Sequence, residues 1–134
     1  MTLDITPLDN AITRLAEGFA RYQRDITDEQ IRDGLIQRFE FTYELSHQML
    51  KRYLESTAAS PVEFDAMPFA DLIRTGNEQG LLQGEWPDWK NYRAMCGMTS
   101  HTYDAAKALD VVAGIPTFLA EAEFLCGQLR RRLA

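Results

Sequence analysis

The sequence has few of the residues that build metal sites, disulfide frameworks and membrane spans. Its 134 residues include two histidines and two cysteines, Cys96 and Cys126, with no pairing at metal-ligand spacing. No apolar run approaches the roughly 20 residues that cross a bilayer, and the N-terminus lacks the basic and apolar regions of a signal peptide. We therefore expect a cytoplasmic protein with reduced thiols, no bound metal or cofactor, and no membrane association.

Positive charge and catalytic signatures are also scarce. Fourteen Lys and Arg residues stand against 20 Asp and Glu residues, which gives a net charge of −6. Because Lys and Arg drive phosphate binding, this balance argues against a protein that coats nucleic acids non-specifically. It does not exclude a small, local RNA-binding site. The sequence has no Walker loop, GxSxG, HExxH, Rossmann glycine pattern or magnesium-binding carboxylate cluster of a nucleotidyltransferase. The chain is not expected to transfer nucleotides by itself.

The sequence does contain helical periodicity along almost its whole length. It predicts one domain, residues 1–134, folded as an all-α antiparallel up-and-down bundle of four to six helices. Thr6-Pro7-Leu8-Asp9 reads as a capping box with proline at the first helical position, and this helix should end near Asp25. A second capping signal, Thr27-Asp28-Glu29-Gln30, opens a helix over about Asp28–Glu55.

The predicted helix over Asp28–Glu55 carries two apolar stripes. One contains Ile31, Leu35, Phe39, Thr42, Leu45 or Ser46, Met49 and Tyr53, and the other contains Ile36, Glu40, Tyr43, His47, Leu50 and Leu54. A helix that is apolar on more than one side is central in its bundle or shared with a partner. We therefore predict a homodimer in which this helix and the region of His101 line a cleft between protomers.

The remaining elements follow from breaks in the pattern. Ser60-Pro61 starts a short helical turn, and a helix over about Pro68–Gln79 should stop at Gly80. A helix from Pro87 to about Cys96 comes next. The final helix should start near Asp104 and be broken at Gly114-Ile115-Pro116.

The junction before the final helix concentrates reactive side chains. Arg93, Thr99, Ser100, His101 and Tyr103 surround a glycine-containing break in the helical pattern. Histidine exchanges protons near neutral pH, and free N–H groups at a helix start favour anions. The junction could therefore serve an anionic substrate.

A simpler interpretation of the same residues is structural. Thr99, Ser100 and Asp104 could cap a helix while His101 and Tyr103 pack against the bundle. The sequence pattern alone leaves both interpretations open.

The junction also carries a family resemblance. Its TSHTYD run (residues 99–104), together with Arg32–Glu55, Ser60-Pro61 and the segment Asp71–Leu82, strongly resembles the HEPN family, in the branch of nucleotidyltransferase substrate-binding-like proteins. The resemblance implies a helical bundle that dimerises and pairs with a minimal nucleotidyltransferase encoded nearby. In related toxin–antitoxin pairs, the HEPN protein is a metal-independent RNase, and the nucleotidyltransferase silences it by adenylylating a tyrosine.

The family motif is an arginine, four residues, a histidine, one residue and a tyrosine. By this resemblance His101 matches the catalytic histidine and Tyr103 matches the acceptor tyrosine. Cys96 occupies the position of the arginine, so Arg93, one helical turn earlier, is the candidate replacement. A second departure is His47, where the resemblance leads us to expect tryptophan.

Two functions remain open at this point. The chain could be a non-catalytic or weakly catalytic partner subunit that binds substrate or presents Tyr103, or an active RNase toxin that uses His101 and Arg93. Glu40 and His47 lie two turns apart on one helix face, where they could contact a nucleotide or a partner. They could equally be ordinary, partly exposed members of a helix interface.

Overall fold

The computed structural model describes residues 3–134 and consists of α-helices joined by short connections. The helices are α1 (Thr6–Arg24), α2 (Glu29–Thr57), α3 (Phe69–Glu78), α4 (Trp86–Met98) and α5 (Ala105–Leu133), with short 3₁₀ helices at Pro61–Phe64 and Thr99–His101. This part of the chain contains no β-strand, which confirms the predicted all-α bundle. None of these helices combines the length and apolarity that a membrane span requires.

The first two helices begin in different ways. At α2, the N-cap is Asp28, which lies within the predicted capping signal, and its Oδ1 accepts hydrogen bonds from the N–H groups of Gln30 (2.9 Å) and Ile31 (3.1 Å). The capping box predicted for α1 is wrong, because Thr6 is already helical. Its N–H instead donates to Oδ1 of Asp4 at 2.9 Å, two residues earlier.

Helix α2 is the central element of the bundle. It packs against α1, α3, α4 and α5, and most residues of both predicted stripes are buried. Its buried members are Arg32, Leu35, Ile36, Phe39, Thr42, Tyr43, Ser46, Met49, Leu50, Tyr53 and Leu54. One chain therefore buries most of both stripes, and the stripes by themselves do not require a second chain, although Glu40 is exposed and Ile31 and His47 are half-buried. Dimerisation remains a prediction supported by the family resemblance.

An aromatic cluster joins three helices at the centre of the bundle. The ring of Phe118 on α5 lies edge-on to Phe39 of α2, with centroids 5.1 Å apart, and edge-on to Tyr92 of α4 at 5.2 Å. Trp89 of α4 lies 6.1 Å away, also edge-on. Edge-to-face pairs add about 0.5–1.5 kcal/mol each to the free energy gained by burying the rings. The cluster thus fixes α2, α4 and α5 relative to one another.

A buried carboxylate holds the connection between α3 and α4. Gly80 ends α3 in the left-handed region (φ +76°), as predicted. Beyond it, the carboxylate of Glu121 on α5 accepts hydrogen bonds from the backbone N–H groups of Gln83 (3.0 Å) and Gly84 (2.7 Å). Burial raises the pKa of Glu121, while these two hydrogen bonds act in the opposite direction. Glu121 therefore fixes the backbone that leads into α4.

The predicted break at Gly114-Ile115-Pro116 is wrong, since α5 is continuous from Ala105 to Leu133. Gly114 serves packing, because a Cβ there would lie 2.5 Å from the sulfur of Met95 on α4. Pro116 leaves the carbonyl of Val112 without its usual helical donor. Buried Ile115 and Phe118 on either side hold the segment helical despite this loss.

This explanation predicts that Pro116→Ala stabilises the protein. Alanine restores the missing N–H donor at an exposed position, so we expect the free energy of unfolding to rise by roughly 1–3 kcal/mol. Urea denaturation measures the difference. Pro87→Ala is the matched control, because Pro87 lies in the first turn of α4, where proline costs little. Equal effects of the two substitutions would contradict the explanation.

Candidate functional site

The TSHTYD run forms the junction between α4 and α5. Its first half is the 3₁₀ helix Thr99–His101, where the hydroxyl of Thr99 donates to the carbonyl of Cys96 at 2.8 Å. Asp104 is the N-cap of α5, and its Oδ1 accepts hydrogen bonds from the N–H groups of Ala106 (3.0 Å) and Lys107 (3.3 Å). Two of the N–H groups predicted to attract an anion are therefore already bound within the chain. The capping interpretation holds for Asp104.

His101 and Tyr103 form an adjacent pair on this junction. Nδ1 of His101 lies 3.3 Å from the hydroxyl oxygen of Tyr103, within hydrogen-bond distance. His101 is half-buried, whereas Tyr103 is 83% exposed and does not pack as the structural interpretation expected. Ser100 is exposed beside them. The junction thus presents a phenol at the surface with an imidazole in contact with it.

A buried arginine that the sequence analysis missed connects this junction to the bundle. Arg32 is 8% exposed, and its Nη2 donates to the carbonyl of Thr102 at 3.3 Å. Its Nε donates to Oδ1 of Asp33 at 3.2 Å. A sequence signal exists, because Arg32 shares the spacing of Leu35 and Phe39 and so falls on a buried stripe of α2. A cation at such a position requires partners, and here they are the Asp33 carboxylate and the backbone of the junction.

A second set of predicted residues lies in a separate cleft. This cleft has a volume of about 410 Å³ and is lined by Tyr43, Glu44, His47, Phe69, Arg93, Cys96 and Gly97. Nε2 of His47 donates to Oε2 of Glu44 at 3.1 Å, and its ring lies edge-on to those of Tyr43 and Phe69. Glu40 is exposed, and the pairing partner of His47 is Glu44. The predicted patch of Glu40 and His47 is therefore replaced by a pair one turn apart.

The electrostatics of this cleft follow from burial. Burial lowers the pKa of His47, and the nearby charge of Arg93 acts in the same direction, while Glu44 opposes both. Burial also raises the pKa of the Cys96 thiol to about 11, assisted by Glu44 and Glu40. At neutral pH the cleft therefore contains a neutral imidazole and a neutral thiol.

Arg93 supplies the cation of this cleft. Its guanidinium carbon lies 5.5 Å from the centroid of the Phe69 ring, in a cation–π arrangement. His101 is absent from the lining of the cleft. The structure thus groups Arg93 with His47 and Cys96, and it groups His101 with Tyr103. Within residues 3–134 no three His, Cys, Asp or Glu side chains converge as a metal site would require.

Comparison with known protein families identifies the family to which this chain belongs. The family described as nucleotidyltransferase substrate binding protein like matches residues 3–131. The chain belongs to this family. The match extends over all five helices and both groups of candidate residues, and it agrees with the HEPN resemblance carried by the TSHTYD run.

Relatives of known sequence and structure agree with this assignment. The chain is 44% identical over 110 residues to a protein of Haemophilus influenzae named probable ribonuclease HepT. The aligned region covers 82% of this chain and 75% of the relative. A solved structure from Haemophilus influenzae, described as the fold of a substrate-binding domain of a nucleotidyltransferase, superposes with a TM-score of 0.88. That alignment has 38% identity and covers 95% of this chain and 99% of the other. Family members thus share this helical fold.

The His47 environment predicts a pH-dependent stability. Because burial lowers the pKa of folded His47 below its ordinary 6.5, the unfolded chain binds the proton more tightly. The free energy of unfolding should therefore fall as the pH drops below about 6.5, by at most about 1.4 kcal/mol per pH unit. Urea denaturation across pH 5–8, an approximate range around this titration, measures the slope.

The two histidines of the chain provide the control for this prediction. His47→Phe keeps an aromatic ring in the cleft and should flatten the slope, whereas His101→Gln should leave it unchanged. Equal slopes in the wild-type protein and His47→Phe would show that another group is responsible.

Proposed function

We propose that this protein is the HEPN-type partner subunit of a minimal nucleotidyltransferase encoded nearby, and that it presents Tyr103 for adenylylation. The observation that carries the proposal is the exposure of this residue. The chain has five tyrosines, and Tyr22, Tyr43, Tyr53 and Tyr92 are buried at 3–8% exposure, whereas Tyr103 is 83% exposed. Tyr103 is therefore the tyrosine whose side chain a second enzyme can reach most readily in the folded protein. The same proposal includes homodimerisation, on the strength of the family resemblance.

The backbone around Tyr103 supports its role as an acceptor. The preceding carbonyl, of Thr102, is bound by the buried Arg32, and the following residue, Asp104, caps α5. The phenol is thus exposed to solvent while its backbone is anchored on both sides. A partner enzyme would therefore meet a defined surface, and ordering this surface on binding would cost little free energy.

The chemistry requires only a nucleotide donor supplied by the partner. The phenolic oxygen of Tyr103 attacks the α-phosphorus of ATP, a bond forms between them, and the bond from the α-phosphorus to the bridging oxygen breaks. Pyrophosphate leaves with that electron pair. The phenolic proton passes to Nδ1 of His101, which lies 3.3 Å from the hydroxyl oxygen. No other tyrosine of the chain lies within hydrogen-bond distance of a histidine in residues 3–134.

The proposal predicts adduct formation at one residue. With the nucleotidyltransferase, ATP and magnesium, intact-mass measurement should show one added adenylyl group on the wild-type protein and none on Tyr103→Phe. Tyr22→Phe is the matched control and should be modified normally, because Tyr22 is buried. His101→Gln should slow modification by roughly 10²–10⁴-fold if the imidazole accepts the proton. An equal adduct on Tyr103→Phe would place the acceptor elsewhere.

An RNase function is the second candidate, favoured by the similarity to a relative named probable ribonuclease HepT. His101 would transfer protons at the RNA 2′-hydroxyl and leaving oxygen, and a cation would stabilise the transition-state phosphate. Position 96 of the motif holds a neutral thiol, which cannot supply that charge. Arg93, one helical turn earlier, rests on Phe69 and lines the same cleft as Cys96. We therefore infer weak or absent RNA cleavage.

This inference predicts a gain of function. Cys96→Arg should increase metal-independent cleavage of single-stranded RNA by about 100- to 1000-fold, the usual effect of one preorganised transition-state donor. The gain should be lost again when His101→Ala is added. Strong cleavage by the wild-type protein that requires both His101 and Arg93 would show that Arg93 has replaced the motif arginine.

A further inference from the structure

The outer surface of α1 and α2 carries a groove that neither candidate function uses. Its larger part is a hollow of about 240 Å³, with a mostly apolar lining that includes Phe41, Leu45 and Arg14. A smaller hollow of about 180 Å³, lined in part by Arg21, continues from it, and Arg38 borders both. Hollows of this size accept a side chain, whereas pockets for small molecules usually hold about 300–1000 Å³.

Arg38 is held in place across this groove. Its Nη1 donates to the carbonyl of Arg14 at 2.8 Å. The absence of a side chain at Gly18 makes room for it, since a Cβ there would lie 3.1 Å from Cδ and 3.2 Å from Nη1 of Arg38. The guanidinium is therefore positioned before any partner arrives, while most of its donors remain free.

The cations of the groove lack acidic partners. Among residues 3–134, no carboxylate lies within ion-pair distance of Arg14, Arg21 or Arg38, although the chain carries a net charge of −6. Within the larger hollow the hydroxyl of Thr42 is already satisfied, because it lies within hydrogen-bond distance of the carbonyls of Arg38 (2.7 Å) and Ala11 (3.3 Å). The groove therefore offers unpaired positive charge around an apolar depression.

Phe41 stands beside this depression and is 59% exposed in the middle of α2. Aromatic and arginine side chains together are the residues that most often anchor protein interfaces. We propose that this groove docks an acidic segment of the nucleotidyltransferase partner, with one apolar side chain of that segment packed against Phe41 and its carboxylates paired with Arg14, Arg21 and Arg38. The identity of the partner rests on the proposed function, whereas the groove and its chemistry do not.

Charge argues against two other occupants. A second copy of this chain in a two-fold interface centred on the groove would set the three arginines against the same three arginines. An RNA strand would find the cations and a ring on which a base can stack, but it carries a negative charge at every nucleotide along its length. A protein of net charge −6 repels such a polyanion more strongly than it repels the few carboxylates of one segment. A protein segment with several carboxylates and one apolar side chain complements both the arginines and the apolar hollow.

Binding of the purified nucleotidyltransferase, measured by calorimetry, tests the proposal. Arg14→Gln and Phe41→Ser should each weaken binding at least about tenfold, a typical effect at an interface anchor. Arg131→Gln and Leu109→Ser are matched controls, because they remove an exposed cation and a 51% exposed apolar side chain on α5. Raising the ionic strength from about 0.05 M to about 0.3 M should also weaken binding of the wild-type protein. Circular dichroism confirms that each variant is folded.

The outcomes separate this inference from the function proposed above. Adduct formation and affinity are separate measurements, so binding that requires the groove without any adduct on Tyr103 would contradict the proposed modification alone. Normal binding by Arg14→Gln and Phe41→Ser, or the absence of any complex, would overturn the docking proposal. Conversion of a dimer to a monomer by Phe41→Ser, or binding of single-stranded RNA that requires Arg14, would assign the groove to another occupant and would also overturn it.

Discussion

The packing of Phe118 against rings from α2 and α4 is the contact on which the arrangement of both candidate sites depends. Phe118 is fully buried, and its neighbours Phe39 and Trp89 are also fully buried. Because protein interiors are close-packed, a ring in this position has few alternative arrangements. α2 is therefore fixed against α4 and α5, and the side chains at the ends and edges of these helices take defined positions as a consequence.

The length of α2 explains why the candidate residues fall into two groups. Arg32 contacts the junction that carries His101 and Tyr103, whereas His47 lies in the cleft with Arg93. Fifteen residues of helix separate Arg32 from His47, a rise of about 22 Å. Arg93 and Cys96, one helical turn apart on α4, both line the His47 cleft.

The fold could be predicted from the sequence because helical periodicity reports burial directly, and the helix bounds proved close to those expected. Gly114 and Pro116 were misjudged for a physical reason: their effects depend on Met95, Ile115 and Phe118, which are contacts of the folded chain. The site was less predictable. TSHTYD marked the junction, but the exposure of Tyr103 and the tether from Arg32 required coordinates. Helical periodicity predicts that Arg32 lies on a buried face, but it does not predict that its guanidinium contacts the carbonyl of Thr102.

A cysteine at the position that the family resemblance assigns to the motif arginine would affect the two candidate functions unequally. RNA cleavage needs a positive charge at the transition state, and a Cys96 thiol with a pKa of about 11 supplies none at neutral pH. Presentation of Tyr103 needs an exposed hydroxyl, a proton acceptor and an anchored backbone, and none of these involves position 96. In an adenylylation reaction the metal and the phosphate contacts come from the partner enzyme. A chain that has lost its own cation can therefore keep the acceptor role intact, which is why the proposed function places Tyr103 ahead of His101.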